Sequence, residues 1–270
     1  MEEFSISQSI NIKPWCAKIQ DARQVSDELE AFLDEDGQLD FGDSKALNSY
    51  NKAVAKVLSD LDIQVPDNHL IPAVCLRYAY AKILADNFLK SGDKIVEIGT
   101  GASAIISQIL AKSFHIECIA TEINPDSFES AKNNILNNNL TGLIQLLKST
   151  GQILNDLVKD SHYQAILTYP PTYGESVQEM NKLNKQRGFK GVKSEMIGGG
   201  DTGFEFTRQY LEEACEYSID CVTVLCLFKN HVTPSIRILE KHGRKVEVAE
   251  LIAGTRKRYM VIGLLPDLLH

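Results

Sequence analysis

Residues 94–104, Lys94-Ile95-Val96-Glu97-Ile98-Gly99-Thr100-Gly101-Ala102-Ser103-Ala104, read as a strand running into a glycine turn and then a helix. Glycines at 99 and 101 let backbone approach a ligand where side chains would collide. Glu122 follows twenty-three residues after Gly99, closing the next apolar run, where a carboxylate can accept from both hydroxyls of a ribose. A glycine turn alone fits any strand–helix junction; the acid at that distance favours a nucleoside. Two such ligands compete. Gly99-x-Gly101-x-x-Ala104 satisfies the dinucleotide fingerprint, which would make a nicotinamide dehydrogenase. Glu97, inside the strand, would repel a pyrophosphate, whereas the α-ammonium and sulfonium of S-adenosylmethionine favour an acid nearby. The residues therefore point to S-adenosylmethionine as cofactor.

A second group closes the fourth predicted strand of the same sheet: Thr168-Tyr169-Pro170-Pro171-Thr172-Tyr173. Ligands of open α/β sheets sit outside the carboxyl ends of the strands, so this loop should face the Gly99 turn. Two prolines stiffen it and leave carbonyls able to accept from an amino group, and Tyr173 can stack on a flat substrate. Pro-Pro between tyrosines is also a common rigid turn; its place after a donor-binding strand gives it weight. Downstream, Lys182, Lys185, Arg187, Lys190 and Lys193 put five positive charges and no negative one into residues 181–193, with Phe189 among them. Such a run is usually a solvated loop, but beside an acceptor pocket it can meet phosphates. Arg256-Lys257-Arg258 near the C-terminus is a lesser basic candidate, equally suited to protecting a strand edge.

The elements that must position these residues follow from periodicity. Leu47, Tyr50, Val54, Val57, Leu58 and Leu61 recur at helical spacing over 44–61, with Asp43 or Ser44 as cap, and a second helix spans about 72–90 after the turn Val65-Pro66-Asp67-Asn68. Residues 1–90 thus read as an acidic, helical N-terminal module, and 91–270 as the donor-binding domain. Beyond residue 93, strands are expected at about 94–98, 115–121, 143–148, 163–168, 221–228, 245–252 and 258–265. Helices are expected at about 103–113, 124–138, 203–217 and 232–242, the one at 124 marked by Asn124 as cap, Pro125 in the first turn and Asp126 on the dipole. Alternation implies an α/β fold with a mainly parallel, Rossmann-like sheet of seven strands, and the short link between the last two requires an antiparallel hairpin.

Composition sets the outer bounds. The 270 residues are 44% apolar and 24% charged, ordinary for a soluble globular chain. No apolar run reaches the roughly 18 residues of a spanning helix, and Met1-Glu2-Glu3-Phe4 carries acid where a secretory signal carries base, so no membrane role and a cytoplasmic location are expected. Six dispersed cysteines and six dispersed histidines, without Cys-x-x-Cys or His-x-x-x-His, argue for reduced thiols and against a metal site. The net charge of −8 resides in residues 21–43, where nine acids face Arg23 alone, a segment read as a solvated helix. The remainder is balanced, which leaves room for a basic surface that holds a polyanion.

At its motifs the chain resembles the RNA adenine N6-methyltransferase family of methyltransferase-like sixteen and RlmF, the methyltransferase 10 domain, over roughly residues 38–265. The resemblance is carried by Leu39-Asp40-Phe41, Leu70-Ile71-Pro72 with Leu76-Arg77-Tyr78, Ile98 to Ser103, Ala120-Thr121-Glu122, Asn138-Asn139-Leu140, Gly198-Gly199-Gly200 with Phe204-Glu205-Phe206, and Gly254-Thr255-Arg256. It implies a class I methyltransferase sheet and methylation of the 6-amino group of adenine in structured RNA, ribosomal or small. It also implies that Arg77, Gly99, Ser103 and Glu122 contact S-adenosylmethionine beside Gly101, and that residues 169–173 form the acceptor site. The family pattern there is Asn-Pro-Pro-Phe; here Tyr169 and Thr172 replace the asparagine and phenylalanine, while Pro170 and Pro171 persist and Tyr173 supplies an aromatic one place later. By resemblance, the asparagine carbonyl and the first proline carbonyl take the two amine hydrogens. Two rivals stay open: a glutamine methyltransferase of the release-factor type, which gives no reason for the Lys182–Lys193 cluster, and a catalytically silent, donor-binding RNA-binding protein.

Overall fold

The structure, a computed structural model, describes residues 4–154, 162–184 and 195–266. Its strands are β1 (Gln8–Asn11), β2 (Lys94–Ile98), β3 (Glu117–Glu122), β4 (Ile144–Lys148), β5 (Ala165–Thr168), β6 (Cys221–Cys226), β7 (Lys245–Ala253) and β8 (Arg256–Leu264). Its helices are α1 (Ile19–Arg23), α2 (Asp27–Glu30), α3 (Ser44–Ser59), α4 (Val74–Phe88), α5 (Ile105–Phe114), α6 (Pro125–Asn137), α7 (Val177–Asn184), α8 (Glu205–Cys215) and α9 (Val232–Lys241). One sheet runs β1-β7-β8-β6-β5-β2-β3-β4, parallel except where β8 pairs antiparallel with both β6 and β7.

Alternation along the strands feeds two cores. Ile95, Ala165 and Leu167 join the α4–α5–α6 side, while Val96, Ile98 and Ile166 join the α8–α9 side. A sheet covered on both faces explains why β5 and β6 are buried at every position. The expected caps are present: Asp43 accepts from the Lys45 N–H, and Asn124 accepts from the N–H groups of Asp126 and Ser127 ahead of Pro125.

The sheet has eight strands where periodicity gives seven. The additional one, β1, is short and mostly polar, and it adds parallel to the β7 edge with Gln8 opposite Ala249. Its register comes from a partner about 240 residues away, which no local pattern encodes. The β7–β8 link is tighter than expected, with Ala253 facing Arg256 across Gly254 and Thr255, and Gly254 at φ +62°. The acidic segment is not one solvated helix: α1 and α2 place Ala22 and Leu29, and the following loop places Leu39, in a small core with Ala46 and Ala53 of α3, and Ser26 caps α2. Among the described residues no helix is long and apolar enough to cross a membrane, and the six cysteines are free thiols.

Candidate functional site

The chain leaves β2 toward β3 and β4, then returns to place β5 on the other side of β2. The crevice at the carboxyl ends of β2 and β5 is the topological switch point of the sheet, where open α/β folds take their ligands. Thr168 Oγ1 donates to the Ile98 carbonyl at 2.9 Å, binding the two strand ends together.

On the β2–β3 side, Gly99 and Gly101 both sit at φ +70°, and a Cβ on either would enter open space. This is a cradle that side chains would fill. The turn is braced from beneath by Glu97, which is buried and accepts at one carboxylate oxygen from Thr100 Oγ1 (2.7 Å), the Ser107 N–H (3.1 Å) and the Ser107 hydroxyl. Burial raises its pKa against those hydrogen bonds. Glu97 therefore organises the turn from beneath. Glu122 reaches the turn directly: Oε2 accepts from the Gly101 N–H at 2.8 Å, and Oε1 from the N–H groups of Ile123 (2.9 Å) and Asn124 (2.8 Å). Oε2 thus keeps an acceptor position for a ligand hydroxyl beside the cradle. Ser103, also buried, follows in the same turn, its carbonyl accepting from Gln108 Nε2.

Across the switch point lies a cavity of about 450 Å³, lined by Tyr169, Pro170, Pro171, Thr172 and Tyr173 of the β5 loop, by Arg77 of α4, and by Arg256 and Arg258 of the terminal hairpin. Its volume suits a small flat ligand group. Arg77 Cζ stands 4.8 Å from the centroid of the Tyr169 ring, a cation–π contact. Burial lowers the pKa of the guanidinium, opposed by Tyr169, Glu97 and Glu195. On β8, alternation sends Arg256 and Arg258 to the cavity and Lys257 away from it, onto Glu250 at 2.9 Å. Tyr173 is fully buried, its ring edge-on to Phe228 with centroids 5.3 Å apart, so the stacking surface expected of it is committed to the protein.

Of the basic run, Lys182 lies on α7, paired with Glu179 and 5.7 Å from the Phe228 ring centroid. Lys185, Arg187, Lys190 and Lys193 lie outside the described residues. One contact and two residues escaped sequence reasoning. Thr172 Oγ1 donates to the Pro170 carbonyl at 2.8 Å. Glu195, an acid just past the basic run, accepts from the Leu70 N–H (2.8 Å) and Ser127 Oγ (3.2 Å), bridging the N-terminal part to α6. Phe228 packs on Tyr173, and the only sequence signal for it is an aromatic just past β6. No group of three or more His, Cys, Asp or Glu among the described residues could hold a metal.

The fold is that of a solved METTL16 MTase domain, which covers 94% of this chain at a TM-score of 0.74 and 21% identity. The chain belongs to the RNA methyltransferase family of the methyltransferase 10 type, which it matches over residues 17–262. A provisionally named methyltransferase of Methanocaldococcus jannaschii, MJ0046, is 33% identical over 263 residues, 92% of this chain and 98% of that one. The U6 small nuclear RNA (adenine-(43)-N(6))-methyltransferase of Schizosaccharomyces pombe is 29% identical over 83% of this chain, which spans 62% of that relative's length. Two structures of human METTL16 share the fold at 21% identity: the catalytic domain with an RNA hairpin (TM-score 0.80, 95% of this chain and 93% of that one) and the N-terminal domain with SAH (TM-score 0.76, 96% and 100%).

Proposed function

We propose that the protein transfers a methyl group from S-adenosylmethionine to the 6-amino group of adenine in structured RNA, in the cytoplasm. The observation that carries this reading is the juxtaposition at one switch point of the Gly99–Gly101 cradle with Glu122 and the Tyr169–Pro170 cavity rimmed by arginines. The cradle and its carboxylate fit the nucleoside half of the donor, and the N6-adenine activity and SAH complex of relatives support the choice. When bound, the donor supplies an electrophilic methyl on a sulfonium. This chain's residues then need chiefly to position the amine, whose surplus proton passes to solvent after the carbon–sulfur bond has broken. Gly99, Gly101, Ser103, Glu122 and Arg77 hold the donor; Tyr169 and the Pro170 carbonyl face the amine, with Pro171 and Tyr173 bracing the loop. The target base enters the cavity flipped from its stack. Lys182 and the basic segment after it, with Arg256 and Arg258, meet the phosphates, while Lys257, turned to the other side of β8 and paired with Glu250, is left out of that surface.

Tritiated donor incubated with total RNA, followed by nucleoside mass spectrometry, tests the assignment. N6-methyladenosine is the expected product, and label confined to protein overturns it in favour of a glutamine acceptor. Replacing Glu122 with alanine removes a charged acceptor from the cradle and should weaken donor binding by about 1.5–3 kcal/mol in calorimetric titration. Unchanged affinity would remove Glu122 from the donor site. The double change Arg256→Ala, Arg258→Ala should weaken RNA binding and flatten the slope of log affinity against log salt by about two. An unaltered slope would place the RNA elsewhere.

A further inference from the structure

We infer that Phe41 is the stacking platform for the base next to the methylated nucleotide, a positioning role that rests on the RNA reading above. Phe41 lies between α2 and α3 and lines the same cavity as Arg77, Arg256 and Arg258. It is 39% exposed, and among the described residues it is the only strongly exposed large apolar side chain in that wall. The other aromatic rings of the wall are engaged: Tyr169 carries Arg77, and Tyr173 is buried against Phe228.

The Phe41 ring is also held in place. It meets Tyr50 of α3 edge-on, with centroids 5.4 Å apart and planes at 88°, and Tyr50 is itself fixed by its hydroxyl donating to the Ala17 carbonyl at 2.8 Å. Its neighbouring acids are turned to local duty: Asp40 accepts from the Gly42 N–H, and Asp43 caps α3. A rigid apolar face that shares its cavity with Arg256 and Arg258 suits a strand that places a phosphate on those guanidinium groups and the next base on the ring. A single-stranded or looped target supplies such a base; an uninterrupted duplex keeps its bases stacked on one another.

The test crosses a protein change with an RNA change. Wild type, Phe41→Ala, Phe41→Leu and Phe41→Trp are titrated with a hairpin bearing a loop adenine, and with the same hairpin made abasic in turn at each nucleotide flanking it. On the intact RNA, Phe41→Ala and Phe41→Leu should bind roughly five- to 150-fold more weakly, and Phe41→Trp at or above the wild-type level. At one flanking position the abasic RNA should erase the difference between wild type and the alanine variant, while donor affinity stays the same in all four proteins. Equal binding by all variants, or the same loss on intact RNA and on every abasic RNA, overturns the platform while leaving the methyltransferase reading in place. An unmodified protein that binds donor but no RNA overturns both.

Discussion

Gly203→Ala should unfold the acceptor side of the site and abolish methylation while leaving donor binding measurable. Gly203 sits at φ +76°, and a Cβ there would fall inside the van der Waals shells of the Thr172 carbonyl and the Tyr173 backbone. The same intimacy recurs at Gly198, whose Cβ would strike the carbonyls of Gly203 and Pro171, and at Gly174, whose Cβ would strike that of Asp201. Two loops, 171–174 and 196–203, therefore pack backbone to backbone. They are stitched by the N–H groups of Thr172 and Tyr173 donating to the Met196 carbonyl at 2.9 and 2.8 Å, and by the Gly198 N–H donating to Tyr173 at 3.0 Å. Because the obstacle is backbone, no rotamer relieves it. A left-handed alanine costs about 1–3 kcal/mol, and overpacking adds about 1–3 kcal/mol more. Gly200→Ala is the internal comparison, since Gly200 also has positive φ, at +63°, but nothing within 4 Å of its Cβ. Denaturant unfolding should separate the two by at least about 1 kcal/mol; equal midpoints would refute the contact.

That contact marks the division between what is legible in the sequence and what is not. The glycine turn and its carboxylate are legible because their signals are local: a strand pattern, two glycines, and an acid at the next strand end, with Asn124, Pro125 and Asp126 announcing α6 just beyond. The antiparallel hairpin was legible because a short link permits nothing else. The acceptor half depends on contacts through space. The triple glycine at 198–200 gives no sign that Gly198 lies against Pro171, and Tyr173 gives no sign that Phe228, fifty-five residues on, takes up its ring. Strand β1 failed for the same reason, its order being conferred by β7. Glu97 illustrates a subtler limit. Its type and position mark it only as an acid near the turn; that its carboxylate is committed to Thr100 and Ser107, and so shapes the turn, is visible only in the structure.

Tyr169→Phe should lower kcat by about 10²–10³ while leaving donor affinity within about twofold, the size expected when one preorganised partner is removed from a dry site. The argument starts from the two carbonyls that the family pattern offers to an amine. Here Tyr169 replaces the asparagine, and the Pro170 carbonyl is already an acceptor for the Thr172 hydroxyl at 2.8 Å. On the proposed reading one lone pair of Pro170 remains for the amine and the phenolic oxygen supplies the second acceptor, on a ring that Arg77 holds at 4.8 Å. Phenylalanine keeps the ring and its guanidinium contact and deletes only the oxygen, so the change isolates the acceptor. Thr172→Val tests the other partner with the opposite sign: it frees the Pro170 carbonyl from one neutral hydrogen bond, worth about 1 kcal/mol, and should raise kcat by about fivefold. The two changes act on one shared amine, so their effects on log kcat should not add: with the phenolic oxygen gone the amine is no longer held in line, and Thr172→Val should gain less than its fivefold in the double variant. A natural protein that binds donor and RNA yet never methylates, joined to a Tyr169→Asn variant that does, would show instead that the tyrosine closes the acceptor site and that the chain works as a binder.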